Sequence, residues 1–314
     1  MRSAPPLEDS PNLKLLNRER ARADVSTHLM PQLVAVRSLV DYGSHLIERA
    51  LAAKPQGVGN VIANGVFLKQ VVAMADAVEI LLAEGSVYAC HLPARGAFEA
   101  SLYLDYLLEK DTERRALRFY VGDIREQLSW ARKAIPGTSE AKAHELLEHS
   151  IGMAIDRADR ETTARLGLEE RLTHLERPDL KSIDEEFSAR RGKAKFDPPW
   201  YSLDGIQSVR SLANHLSRLA EYEAFYSRGS QVMHAGTYRD HLSVQKGGEV
   251  AFIPIRHVSD MSALLRSVFT VTLSSYNKVV KAYLSEEAEA VRELYVRKWR
   301  RPFLDMPDIN VEYK

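Results

Sequence analysis

The amino-acid sequence predicts an all-α protein, a multi-helix bundle interrupted by one small β-hairpin near residues 242–253. Three observations carry that expectation. Phe67, Val71, Met74, Val78 and Leu81 recur at alternating steps of four and three, which places them on one helix face. Met261, Leu264, Leu265, Val268 and Val271 open a second long stretch of the same period. Only residues 241–245 and 249–253 read as strands, and Lys246-Gly247-Gly248 between them suits a tight turn.

The elements follow in order. Residues 1–12 hold three prolines and few apolar groups and are expected to form a loose leader. A single helical domain is expected over 13–284, with a charged helical insertion at about 138–195, and then a C-terminal helix and tail over 285–314. Leu13 to about Lys54 has a helical pattern, with Ser26 or Thr27 as a candidate cap and Pro31 as a first turn or a break. The next helix stops at Gly85. Ser86 to Lys110 carries Leu92, Phe98, Leu102, Tyr106 and Leu107 on its apolar side. Asp111 and Thr112 suit the cap of a helix running to about Ile135, closed by Pro136-Gly137. The 138–195 stretch is rich in Ala, Glu, Arg and Leu with one aromatic, Phe187, a composition that suits exposed helices, a projecting hairpin or a dimer contact. After a loop at 193–199 come Trp200-Tyr201-Ser202-Leu203, a short helix near 206–216 and a helix from about Leu219 to His234. Pro254 limits the second strand. A long helix to about Leu284 and a last one from Ser285 to near Arg300 complete the chain.

Composition bounds the function. Apolar residues make up 45% and charged residues 27%, an ordinary globular balance. Lys plus Arg equals Asp plus Glu at 43 each, so no global field draws nucleic acid or an anionic membrane, and such binding needs a local basic patch. Cys90, the only cysteine, has no intrachain partner, which suits a reducing compartment. Residues 1–6 have no signal-peptide core, and no stretch approaches the ~18 uncharged apolar residues of a membrane span. The expectation is a cytoplasmic chain with no membrane partner.

Two motifs fail on geometry. His144 and His149 stand at i and i+5, about 140° apart on a helix, where a zinc-protease helix needs i and i+4. Gly57-Val58-Gly59 follows no strand and has no third glycine, so it reads as a linker. No metal or cofactor is expected. Two sets remain. His91, Arg95 and Glu99 stand one turn apart on an otherwise apolar helix, where Arg95 and Glu99 either pair structurally or line a polar cavity. Tyr226, Ser230 and His234 form a polar stripe at i, i+4 and i+8, with Tyr222, Phe225, Gly229 and Met233 supplying a packing face. An imidazole with hydroxyls one turn away is general acid–base equipment; the bland reading is a satisfied core histidine beside a serine. Ser230 as nucleophile lacks a strained turn to present it.

The spacing Arg228-x5-His234 near a helix end resembles the Arg-x(4–6)-His signature of the HEPN superfamily. Those domains are helical and usually dimeric. Many are metal-independent ribonucleases of toxin–antitoxin, abortive-infection and CRISPR systems, and others have lost catalysis. The wider layout is similar to a bacterial family of unknown function that looks related to them. The match rests on Arg95 and Glu99 followed by Tyr103 and Tyr106, on Trp200–Leu203 and Ser208–Ala213, and on Tyr226, Ser230 and His234. It spans roughly residues 65–260.

The resemblance implies a homodimeric ribonuclease in phage defence, with an RNA substrate and an antitoxin or other protein partner. His234 would move protons, Arg228 and Arg95 would stabilise the phosphate, and Ser230, Tyr226 and Glu99 would position. One departure matters: Ser227 follows Tyr226, so Arg228 comes one place late. On a regular helix Arg228 then lies about 120° around from His234 and about 9 Å along the axis. The alternative expectation is a non-catalytic binding or assembly protein with a buried polar network, using the basic run Arg297-Lys298-Trp299-Arg300-Arg301 as a partner surface. A metal-dependent hydrolase lacks a ligand set at proper spacing.

Overall fold

In a computed structural model of the chain, residues 12–53, 57–142, 145–146, 150, 157–236, 238–244 and 247–309 are described, the side chains of 157 and 158 excepted. The leader up to residue 11, most of the His144–His149 segment and the turn residue Lys246 lie outside them. The described chain is all-α with one two-stranded antiparallel hairpin. It forms two compact units: residues 1–110 with 213–314, and residues 111–212.

In the first unit, helix α1 (Arg18–Ala52) starts at Asn17, whose side chain accepts a hydrogen bond from Arg20 N–H. The expected start at Ser26 or Thr27 and the expected break at Pro31 do not occur. Pro31 sits inside α1 with its ring exposed, while Val25, Leu29, Leu33, Val36 and Leu39 bury one stripe across it. Packing along that stripe outweighs the single backbone hydrogen bond the proline removes. Helix α2 (58–83) contains a π-helical stretch, Val61–Leu68, and buries Phe67, Val71 and Val78. Helix α3 (Val87–Glu109) buries Phe98, Leu102, Tyr106 and Leu107. Leu92, expected on that face, is exposed instead. Cys90 is fully buried, its thiol donating toward the Ser86 carbonyl at 3.2 Å, and burial pushes that thiol well up from its ordinary range.

In the second unit, helix α4 (Thr112–Lys133) packs with α5 (Arg157–Leu175) and α6 (Pro178–Arg191). Leu175, Leu180, Ile183 and Phe187 are buried there, so these helices form a core of their own. Arg118 bonds both Asp204 and Glu186, and Arg115 bonds Asp204. After a short helix α7 (Val209–His215), α8 (219–233) belongs to the first unit and passes through a π-helical stretch, Tyr222–Ser227.

Strands β1 (Leu242–Val244) and β2 (Val250–Phe252) follow in the first unit, with Leu242 opposite Phe252 and Val244 opposite Val250. Gly247 and Gly248 both take positive φ in the turn, which glycine adopts without a Cβ penalty. Helix α9 (Met261–Tyr283) buries Leu264, Leu265, Val268 and Val271. Helix α10 (288–304) runs past the expected stop at Arg300, with Pro302 inside its last turn, Arg300–Leu304. No helix of the described residues is long and apolar enough to cross a membrane.

Candidate functional site

The candidate site is built where α3 and α8 touch. Gly229 makes the close approach feasible. A Cβ there would lie 2.6 Å from Arg95 Cβ and 2.8 Å from the His91 carbonyl oxygen, both far inside contact distance. With the backbones that close, α3 side chains reach both flanks of α8.

On one flank, Tyr226, Ser230 and His234 line an open depression of about 380 Å³ together with Tyr222 and Gln231. The predicted stripe is therefore one continuous surface. His234 itself is exposed, at the C-terminal end of α8. Arg95 joins from α3, donating from Nη2 to the Tyr226 hydroxyl at 2.8 Å. Its guanidinium carbon sits 4.1 Å from the centroid of the Tyr226 ring, and Nη1 lies 3.7 Å from Met233 Sδ. Tyr222 and Tyr226 stack with centroids 4.9 Å apart and planes 16° from parallel. The π-helical stretch that carries both tyrosines is a local irregularity of a kind often found at functional sites.

Arg228 does not share this depression. It points to the other flank, where Nη1 donates to Asp240 Oδ2 at 2.9 Å and Nη2 to Oδ1. That pair lines a more enclosed cavity of about 120 Å³ with His91, Arg239, His257 and Asp260. Glu99 is also elsewhere: it accepts a hydrogen bond from the Tyr103 hydroxyl at 2.7 Å, and among the described residues it makes no ion pair with Arg95. Of the six residues singled out from sequence, the structure brings Tyr226, Ser230 and His234 onto one depression and sets Arg95 against Tyr226. It sets Arg228 and Glu99 apart from them. No group of three or more His, Cys, Asp or Glu among the described residues is placed to hold a metal ion.

His91 is the most perturbed histidine. Burial, and then the positive charge of Arg228, hold its pKa down to about 4 from 6.5, against the opposing pull of Asp240 and Asp260. Unfolded, this imidazole takes a proton near pH 6.5; folded, it resists until about 4. Between those values the unfolded chain binds the extra proton, so stability is full above pH 6.5 and drains away as pH falls toward 4. The contribution is up to about 3 kcal/mol. Denaturant unfolding at pH 7.5 and 4.5 is expected to show that loss in the wild type and a flatter profile in His91→Asn. An equally steep profile in the variant would remove His91 as the cause.

Sequence reading missed Asp240, the partner that captures Arg228, because only the chain reversal after His234, with Ala235 at φ 48°, brings it back. It also missed a buried network in the same unit. Arg218 donates to Asp105 at 2.7 Å and to Ser101 at 3.0 Å, and pairs with Glu221, while Lys278 also pairs with Asp105. A signal existed: Asp105 stands between Leu104 and Tyr106 on an apolar helix.

Residues 61–249 match the model of a family described as a family of unknown function (DUF5677). The chain belongs to that family. No curated protein and no solved structure matches it. The DUF5677 span takes in Arg95, Tyr226, Arg228, Ser230, His234 and Asp240, and leaves out α1, α9 and α10.

Proposed function

We propose that the protein is a metal-independent ribonuclease of the HEPN type, working at the open depression on α8. One observation carries this reading: Tyr226, Ser230 and His234 put two hydroxyls and an imidazole on one solvent-facing depression, and Arg95 reaches across from α3 to the Tyr226 hydroxyl. His234 takes the proton from a ribose 2′-OH. The 2′-oxygen attacks the adjacent phosphorus, the bond to the 5′-oxygen breaks, and that oxygen takes a proton from solvent or from the imidazolium. The products are a 2′,3′-cyclic phosphate and a 5′-hydroxyl. Arg95 stabilises the phosphorane, in the role that the motif gives to Arg228. Ser230 and Tyr226 position the strand, and the tyrosine pair offers a face for an unpaired base. Arg228, tied to Asp240, braces the end of α8. A cytoplasmic toxin or abortive-infection effector, acting as a homodimer, is the setting that goes with such cleavage.

A labelled single-stranded RNA incubated with the protein in EDTA is the test. Cleavage with cyclic phosphate ends is expected, with no cleavage of DNA of the same sequence, which lacks the 2′-hydroxyl. His234→Ala and Arg95→Ala are expected to lose about 10²-fold or more while keeping their helicity. Wild-type rates in His234→Ala would end this reading. A second reading, a non-catalytic RNA-binding or assembly protein, is favoured by the separation of Arg228 from His234. Tight RNA binding with no cleavage by the wild type would select it.

A further inference from the structure

Over the whole chain, positive and negative side chains balance, 43 against 43. Residues 295–301, Tyr295-Val296-Arg297-Lys298-Trp299-Arg300-Arg301, break that balance with four cations and no carboxylate. All four cations are exposed. Trp299 is turned the opposite way: it is buried, its Nε1–H donates to Ser38 Oγ at 3.2 Å, and its ring meets Tyr42 edge-on. That anchor fixes which face of α10 meets solvent. Arg301 has Asp305 one turn on, an exposed pair of little strength. Among the described residues, Arg297, Lys298 and Arg300 make no ion pair. The acids earlier on this helix are Glu289, which pairs with Arg292, and Glu293. Arg266, exposed on α9, adds charge beside the same helix, its guanidinium 5.9 Å from the Phe303 ring.

We propose that this face of α10 binds the phosphate backbone of RNA, as a contact additional to the depression on α8. The inference rests on the ribonuclease reading for its choice of polyanion. Two features favour a nucleic-acid backbone over a lipid surface. The cations crowd two turns with no intervening acid, which suits closely spaced phosphates. Trp299 packs against Tyr42 and Phe303 against Phe269, so neither ring is offered for membrane insertion. Exposed Arg and Lys side chains contact phosphate oxygens, which carry no sequence information, so the contact is indifferent to sequence.

The test combines Arg297→Gln, Lys298→Gln and Arg300→Gln in one chain, all on exposed side chains, with circular dichroism to check the fold. Affinity for a fluorescent 20-mer oligouridylate is measured between 50 and 200 mM salt. The variant is expected to bind about 10-fold or more weakly at the low-salt end, and its log–log salt slope to be shallower by about 2. Cleavage of the dinucleotide UpA, too short to need a backbone contact, is expected to be unchanged. Unchanged 20-mer affinity and slope would overturn the proposal, even if UpA is cleaved. Capture of phosphatidylserine vesicles by the wild type and not by the variant would overturn it in favour of a membrane. If the wild type fails to cleave UpA but the salt slope still drops in the variant, the catalytic reading falls and this face stands. A wild type that binds no RNA removes both.

Discussion

Gly43→Ala is expected to lower the melting temperature by roughly 4–6 °C, the equivalent of about 3 kcal/mol in a chain of this size. Gly43 is buried on α1 against α9. A Cβ there would come 2.7 Å from Val72 Cγ2 and 2.8 Å from Tyr276 Cζ, and closer still to the Tyr276 hydroxyl oxygen. Tyr276 cannot yield easily. It is fully buried, its hydroxyl donates to the Leu39 carbonyl at 2.9 Å, and burial pushes its pKa up. The methyl group therefore separates the helices or breaks a buried hydrogen bond, and either is costly. Adding Tyr276→Phe removes the closest atom and is expected to restore part of the loss. A single variant melting within 2 °C of the wild type would show that α1 and α9 adjust freely at this crossing.

Asp105→Ala is expected to cost about 3–5 kcal/mol in denaturant unfolding. The Asp105 side chain is 2% exposed and the Arg218 side chain 8% exposed, so neither is served by solvent. Removing the carboxylate leaves Arg218 with Glu221 and Ser101 and frees Lys278, which is exposed enough to swing outward. The source of the loss is a buried guanidinium left with one carboxylate, Glu221, where it had two. A double variant, Asp105→Leu with Arg218→Met, fills the same volume without charge and is expected to recover most of the stability. Should the double variant be as unstable as the single, packing around Phe98, over whose ring Arg218 lies, is the larger contribution.

Helical periodicity was legible wherever one face of an element meets a core, as in α2, α3 and α9. The hairpin was legible because Gly247 and Gly248 supply the positive φ of the turn. Pro31 misled because a local rule was weighed without the long buried stripe that carries α1 past it. The two-unit grouping, with Asp111–Leu212 as a unit of its own, depends on contacts that no periodicity encodes. At the candidate site the stripe of Tyr226, Ser230 and His234 was legible from spacing alone, as was the misfit of Arg228. Arg95 reaching Tyr226 was not, since it depends on how closely α3 and α8 cross at Gly229. Asp240 was the least accessible, because nothing local marks it as the partner of Arg228.

The burial of Cys90 has a use as well as a cause. Thiol reagents attack the thiolate, and this thiol is both shielded and held protonated. The chain has no other cysteine to compete. Alkylation thus has to wait for α2 and α3 to part, so its rate clocks the opening of that helix pair without any engineered label.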